Sequence, residues 1–285
     1  MKVAYLGPTG TFSEEALADA AGAAEYERLP QATIHAAIEA VESGEADRAF
    51  VPFENSIEGT VRPTLDALAF DTDHVEIVGE HDHEIRQALI VREEIPLERI
   101  EAVISHPQAT AQCARFLRER MPRADVRAVS STSDAVRRVS VSEQPWAALG
   151  SAAAAEPYGC VVLERGVEDE EGNVTRFVWL APRDAELPAE DPGASWRTTL
   201  VFHELGEDRP GALTEALAEL SDRGINMTRI ESRPRRSGLG RYLFFIDLDG
   251  RGDRGVVAEG IEALRSQAET VRILGSYQVE GPPPL

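Results

Sequence analysis

Three times before residue 110 an apolar run breaks into a polar segment punctuated by glycine or proline. Residues 3–6 lead into Gly7-Pro8-Thr9-Gly10-Thr11-Phe12-Ser13, and residues 48–51 into Pro52-Phe53-Glu54-Asn55-Ser56-Ile57-Glu58-Gly59-Thr60. Residues 100–104 lead into Ser105-His106-Pro107-Gln108. An α/β sheet presents its binding loops at such places, because the core fixes the strand end while the loop stays free to meet a ligand. A fourth polar stretch, Asn173-Val174-Thr175-Arg176-Phe177, runs into an apolar strand at residues 178–180. Threonine beside arginine sets a hydroxyl donor next to a planar cation, a pairing suited to a small carboxylate that also carries a hydroxyl. Alone, this stretch fits an ordinary turn; its companions single it out.

The rest of the chain alternates short apolar runs with amphipathic stretches, as α/β proteins do. Thr11 and Glu14 have capping-box spacing ahead of a helix predicted to reach Ala21. A strand, a glycine turn and a capped helix together make an anion site from free backbone N–H groups. The glycines are spaced G-x-x-G rather than G-x-G-x-x-G, which argues against a dinucleotide, and no cofactor is expected. Helices are predicted at 34–41 and 64–70, in one piece through Gln112, Cys113 and Phe116, behind Ser131-Thr132-Ser133-Asp134, and at 151–156. Strands are predicted at 88–91, 146–149 and 160–163. His81-Asp82-His83-Glu84 has metal-ligand residue types, but a strand puts the histidines on one face and the carboxylates on the other. No third ligand is evident beside them, so the expectation is a surface strand and no metal site.

The chain carries 50 acidic and 29 basic residues, a net charge of −21, and Lys2 is its single lysine. Without a basic stripe to release counterions, nucleic-acid binding is excluded. A GC-rich genome would explain the missing lysine but not the excess carboxylates, so the surface reads as halophilic, its self-repulsion screened at high salt. Two cysteines, Cys113 and Cys160, are too few for a disulfide framework and read as free thiols of a cytoplasmic protein. No apolar run approaches the length of a membrane span or a signal peptide.

At 285 residues the chain has room for two domains. Residues 182–196 hold three prolines and a glycine without periodicity, and read as a linker. Beyond it the pattern is strand (198–203), helix opening at Asp208-Arg209-Pro210, strand (225–233), hairpin tip Ser237-Gly238-Leu239-Gly240, strand (242–248), helix and strand (271–279). That is βαββαβ, a ferredoxin-like layout. Gly281-Pro282-Pro283-Pro284-Leu285 reads as a frayed tail.

Taken together, these segments resemble the prephenate dehydratases along nearly the whole chain. Tyr5-Leu6-Gly7-Pro8 with Thr11-Phe12-Ser13, Pro52-Phe53-Glu54-Asn55-Ser56 with Gly59-Thr60-Val61, Ser105-His106-Pro107-Gln108 with Gln112, and Asn173-x-Thr175-Arg176-Phe177 are similar to the family's ordered motifs. The C-terminal part resembles the ACT module, with Gly211-Ala212-Leu213 and Glu231-Ser232-Arg233-Pro234 similar to phenylalanine-binding motifs. One segment departs: Arg86 stands near a position where histidine is expected.

The resemblance implies an α/β fold with a two-lobed, periplasmic-binding-protein-like catalytic domain (1–181), the linker (182–196) and a ferredoxin-like ACT domain (197–280). It implies conversion of prephenate to phenylpyruvate, carbon dioxide and water, without cofactor or metal, in phenylalanine biosynthesis. Thr175 is the implied donor to the leaving hydroxyl. Thr11, Asn55, Ser56, Gly59, Thr60, Ser105, Gln112, Arg176 and Phe177 are implied substrate contacts, with Arg176 either an anchor for carboxylate or a brace. Gly211, Ala212, Leu213, Asn226, Glu231 and Ser232 are the implied phenylalanine site, in a homodimer or homotetramer. Arogenate as substrate, or a non-catalytic cytoplasmic ligand sensor, are the competing readings.

Overall fold

The computed structural model describes residues 1–206, 209–236, 240–279, 281 and 283–285. The first lobe is built from β1 (Lys2–Leu6), α1 (Phe12–Ala21), β2 (Glu27–Gln31), α2 (Ile34–Glu42), β3 (Arg48–Asn55), β4 (Gly59–Thr60), α3 (Arg62–Phe70) and β5 (Val75–Glu84). The second lobe contains β6 (Ala88–Val91), β7 (Ala102–Ser105), α4 (Pro107–Gln112), α5 (Ala114–Arg120), β8 (Asp125–Ala128), α6 (Thr132–Ser140), β9 (Trp146–Gly150) and β10 (Val161–Arg165). The chain then returns: β11 (Val174–Pro182) enters the first sheet between β3 and β5, antiparallel to both, giving the order β2-β1-β3-β11-β5 with β4 on β3. The second sheet runs β10-β6-β9-β7-β8. Two crossovers therefore join the lobes, at residues 85–87 and 166–173. They are tied together by Ile85 N–H donating to Asn173 O (2.7 Å) and Gln87 N–H to Glu168 Oε2 (2.8 Å).

Alternation along β11 sorts its side chains. Phe177 and Trp179 pack with Phe50, Tyr5 and Leu17 beneath α1. Val178 and Leu180 face α2, α3 and the C-terminal domain. This last domain is β12 (Trp196–His203), α7 (Ala212–Ser221), β13 (Met227–Pro234), β14 (Tyr242–Asp249), α8 (Gly255–Arg265) and β15 (Thr270–Gln278). Its antiparallel sheet, β13-β14-β12-β15, carries both helices on one face, where Leu200, Phe202, Ile246 and Leu248 meet Ala216, Leu220, Ile261 and Leu264. The opposite face offers Val201, Leu243, Phe245 and Tyr277 to the first lobe and shares its core. β15 crosses β5 so closely that a Cβ at Gly275 would lie 2.1 Å from the Ile77 carbonyl oxygen.

Several expectations are corrected. Cys113 (φ −114, ψ 20) breaks the predicted single helix into α4 and α5, and residues 151–156 hold only a 3-10 turn at Ala152–Ala154. α7 starts at Ala212 behind Gly211 rather than at Pro210; Asp208 and residues 237–239 of the hairpin tip lie outside the described residues. The tail is docked: Pro284 is buried, its carbonyl accepts from Arg48 Nε (2.7 Å), and Leu285 packs on the Trp179 cluster.

Candidate active site

A cleft of about 660 Å³ opens between the lobes where the two crossovers meet. Thr11, Asn55, Gly59, Thr60, Gln112, Thr175 and Phe177 line it, drawn from four separate stretches of sequence. Thr11 caps α1, its hydroxyl accepting from Glu14 N–H (3.2 Å), while Glu14 reaches back to Gly10 N–H (2.6 Å) rather than to the cap residue itself. Ser131 caps α6 from the opposite wall. The N-termini of α1 and α6 thus face one space from both lobes, and their aligned peptide dipoles make it favourable for anions. Among the described residues no arginine or lysine lines the cleft; Glu58 and His106 stand there among amide and hydroxyl groups.

Thr175 is 7 % exposed, and its hydroxyl oxygen accepts from Asn55 Nδ2 at 2.9 Å. The same amide donates to Asn173 Oδ1 (2.7 Å), while Asn55 Oδ1 accepts from the N–H groups of Ile57 and Glu58 (3.0 and 2.9 Å). Asn55 is thereby fixed as a donor toward Thr175. A hydroxyl that accepts from an amide keeps its own proton to give. Phe177 stacks on Phe50 (4.9 Å between centroids, 5° between planes), which stiffens the strand just beyond it.

Three expected contacts point elsewhere. Successive strand residues face opposite sides of a sheet, so Arg176 turns away from the cleft that Thr175 enters. Its guanidinium meets Glu54 (2.8 Å), Glu80 (3.3 Å) and Asp247 (2.7 Å), between the first lobe and the last domain, over the Phe53 ring. It is the brace, not the anchor. Ser105 is fully buried and its hydroxyl donates to Leu149 O (2.7 Å), joining β7 to β9. Ser56 is exposed and ties the returning chain, accepting from Val174 N–H (3.0 Å) and donating to Gly172 O (3.3 Å).

Asp247 is fully buried and holds four cationic or hydroxyl hydrogens: Arg176, two from Arg229 (2.9 and 3.2 Å) and Thr199 (2.9 Å). Burial pushes its carboxyl up, yet Arg229 and Arg176 outweigh burial and hold it below the usual carboxylate range. Glu80, paired with Arg197 and Arg176, goes the other way, because there burial wins and raises it.

Gln87 and Asn173 line the cleft without having been singled out as site residues. Gln87 is 3 % exposed; its amide nitrogen donates to Gln112 Oε1 (3.3 Å), leaving its own Oε1 without a partner. The available signal was its place beside Arg86 on the first crossover. In the C-terminal domain Gly211 (φ 90) caps α7, and Asn226 donates to Asp249 (2.7 Å). Arg229 and Arg233 on β13 reach Asp247 and Asp66, so alternation puts Glu231 on the catalytic side and Ser232 on the other. Those two expected partners of a single ligand stand on opposite faces. His81 and His83 do meet a third group, Asp19 of α1, at 3.1 and 3.2 Å, which 62 residues of sequence separation had concealed.

A sequence profile of prephenate dehydratase matches residues 3–185, and one of the ACT domain matches residues 204–266. The chain belongs to the prephenate dehydratase family. A curated prephenate dehydratase of Mycobacterium bovis is 40 % identical to it over 97 % of this chain and 87 % of that protein. Among solved structures, a prephenate dehydratase of Arthrobacter aurescens in complex with L-Phe superposes with a TM-score of 0.87 at 39 % identity, covering 97 % of this chain and 90 % of that one. A protein described as a quorum quenching acylase superposes with a TM-score of 0.86 at 32 % identity, covering 98 % of both chains. The dehydratase scaffold is thus shared with a protein given another activity. No helix among the described residues is long and apolar enough to cross a membrane.

Proposed function

We propose that the chain converts prephenate to phenylpyruvate, with Thr175 assisting departure of the ring hydroxyl. The observation that carries this is the Asn55–Thr175 hydrogen bond of 2.9 Å, which commits the threonine oxygen as acceptor and frees its proton for the cleft. Threonine is too weak an acid to surrender that proton outright. A preorganised donor that strengthens as the C–O bond breaks lowers the barrier all the same. The side-chain carboxylate of prephenate is held by the N-terminal ends of α1 and α6 and by neutral donors, Arg176 taking the bracing role of the two that sequence left open. The ring carboxylate departs as carbon dioxide, favoured by a site without a cation to stabilise it. An acylase would need a nucleophile activated by a base. Asn55, the group that holds Thr175, is a donor and cannot take its proton.

The last domain serves as a phenylalanine sensor in this reading, supported by the ACT match and by the L-Phe complex of the Arthrobacter protein. Because Glu231 and Ser232 lie on opposite faces, a complete site draws on a second copy, and the enzyme works as a homo-oligomer in this reading. The test is release of phenylpyruvate from prephenate, assayed with and without phenylalanine beside arogenate as a rival substrate. Phenylpyruvate formed at a rate that phenylalanine alters is the expected result; no turnover of prephenate refutes the assignment.

A further inference from the structure

His81 and His83 stand two residues apart on β5, so both rings leave the same face of the sheet, on which α1 lies. From α1, Asp19 places one carboxylate oxygen 3.1 Å from His81 Nε2 and 3.2 Å from His83 Nδ1. The three donor atoms lie within 4.8 Å of one another. We propose that Asp19, His81 and His83 form a binding site for one divalent transition-metal ion of the zinc and cobalt class, clamping α1 to β5 outside the active cleft.

The dimensions fit. Nitrogen and oxygen ligands sit about 2.0–2.1 Å from zinc, which makes the edge of a tetrahedral ligand set roughly 3.3 Å. Two of the three edges already have nearly that length. Two imidazoles and a carboxylate with a fourth position open to water is a donor set that such ions accept and that calcium and magnesium do not prefer. His83 is 9 % exposed and held by its surroundings, whereas the Asp19 side chain is 60 % exposed and free to swing the last few tenths of an ångström.

Without metal, each ring donates an N–H to Asp19. On binding, each ring offers that nitrogen's lone pair instead, and a neutral ring's proton moves to its other nitrogen. No oxidation or reduction is involved. His83 Nε2 is buried without a partner in the metal-free form, so on binding the N–H formed there is the one ring hydrogen left to find an acceptor. A chain of net charge −21 also concentrates cations at its surface. α1 carries Thr11 at its N-terminal cap and His83 is the cross-strand neighbour of Thr175, so an ion here would stiffen one wall of the cleft without entering it.

The test is titration of the chelator-stripped full chain with Zn²⁺ by calorimetry and with Co²⁺ by visible absorption, together with Tm in each state. The expected result is one saturable equivalent, a Co²⁺ ligand-field band and a higher Tm. His81→Gln, at a partly exposed ring, should bind at least about tenfold more weakly, the loss that even an outer-shell partner causes. His35→Gln, on α2, should bind as the parent does. Matching metal-free Tm values for both variants establish that the fold is intact. Absence of saturable binding by about 1 mM metal, the range of weak association, overturns the proposal. So does binding that His81→Gln leaves unchanged.

Discussion

In the proposed reaction Thr175 acts through what holds it. Asn55 has both amide hydrogens and its oxygen engaged by Thr175, Asn173 and two backbone N–H groups, so the donor cannot rotate away. Cys113 shows the opposite case, a conspicuous reactive residue type that the structure disarms. It is fully buried where α4 gives way to α5, and its thiol is pushed up to about 12, first by burial and then by the carboxylates of Asp169 and Glu168. The thiolate is the reactive form, so iodoacetamide at pH 7.5 should leave Cys113 of the folded protein unmodified, with turnover unchanged. Peptide mass mapping after quenching checks this, and rapid loss of activity with Cys113 labelling would contradict it. At this scale sequence marks residues by type and company. Thr11 is marked by its capping-box spacing to Glu14, and Thr175 by the resemblance of its motif. For Arg176 sequence leaves anchor and brace open, although alternation along a strand already turns it away from a cleft that Thr175 enters. Ser105 and Ser56 were taken for ligand contacts because a hydroxyl in a loop does not reveal which backbone carbonyl it satisfies.

Among elements, the strand that bears Thr175 is also the one that leads to the last domain. Arg176, its next residue, is locked to Asp247 of β14, and Asp247 is held in turn by Arg229 of β13. Removing one partner of a buried pair strands the other charge, at a cost of about 3–5 kcal/mol. Asp247→Ala should therefore lower Tm by several degrees and loosen the domain contact, measured by calorimetry and by limited proteolysis in the 182–196 linker. Asp247 has its folded pKa below the unfolded carboxyl value, so its contribution is fully present above about pH 4. As pH falls through the folded value that contribution is lost. Denaturant melts of the parent and Asp247→Asn should differ most at pH 7, and the gap should narrow progressively as pH is lowered below about 4; a gap that does not change with pH would contradict the ionic account. Long amphipathic helices and buried strands were visible from periodicity because burial imposes the period. β2 and β8 were not, since Glu27–Gln31 and Asp125–Ala128 are edge strands with most side chains exposed and no apolar run to mark them. Docking of the C-terminal tail was equally hidden, because it depends on Arg48 accommodating a carbonyl from 236 residues away.

For the molecule as a whole, charge is the dominant fact. At net −21 the folded chain repels itself and repels a dianionic substrate at long range. Its arginines are largely consumed in ion pairs, including those that fasten the last domain to the first lobe: Arg176, Arg197, Arg233 and Arg272. Salt screens exposed charges over about 3 Å at 1 M but reaches buried pairs far less. Tm and kcat/KM should then rise together from low to molar potassium chloride, and a flat response in both would remove the halophilic reading. Two-lobe architecture was legible in sequence because polar loops from both halves had to converge. The direct packing of the ACT sheet on the first lobe was not, since Gly275 and Ile77 carry no sign of one another in sequence.

The most direct test of the central claim is kcat on prephenate for Thr175→Val beside Thr175→Ser, with melting curves for both. The valine change removes the hydroxyl at nearly constant shape, while serine keeps it. A lost hydrogen bond to the developing charge should cost Thr175→Val about 10²–10³ in kcat, with Tm near that of the parent and most activity kept by Thr175→Ser. A folded Thr175→Val enzyme turning over at the parental rate would contradict the account.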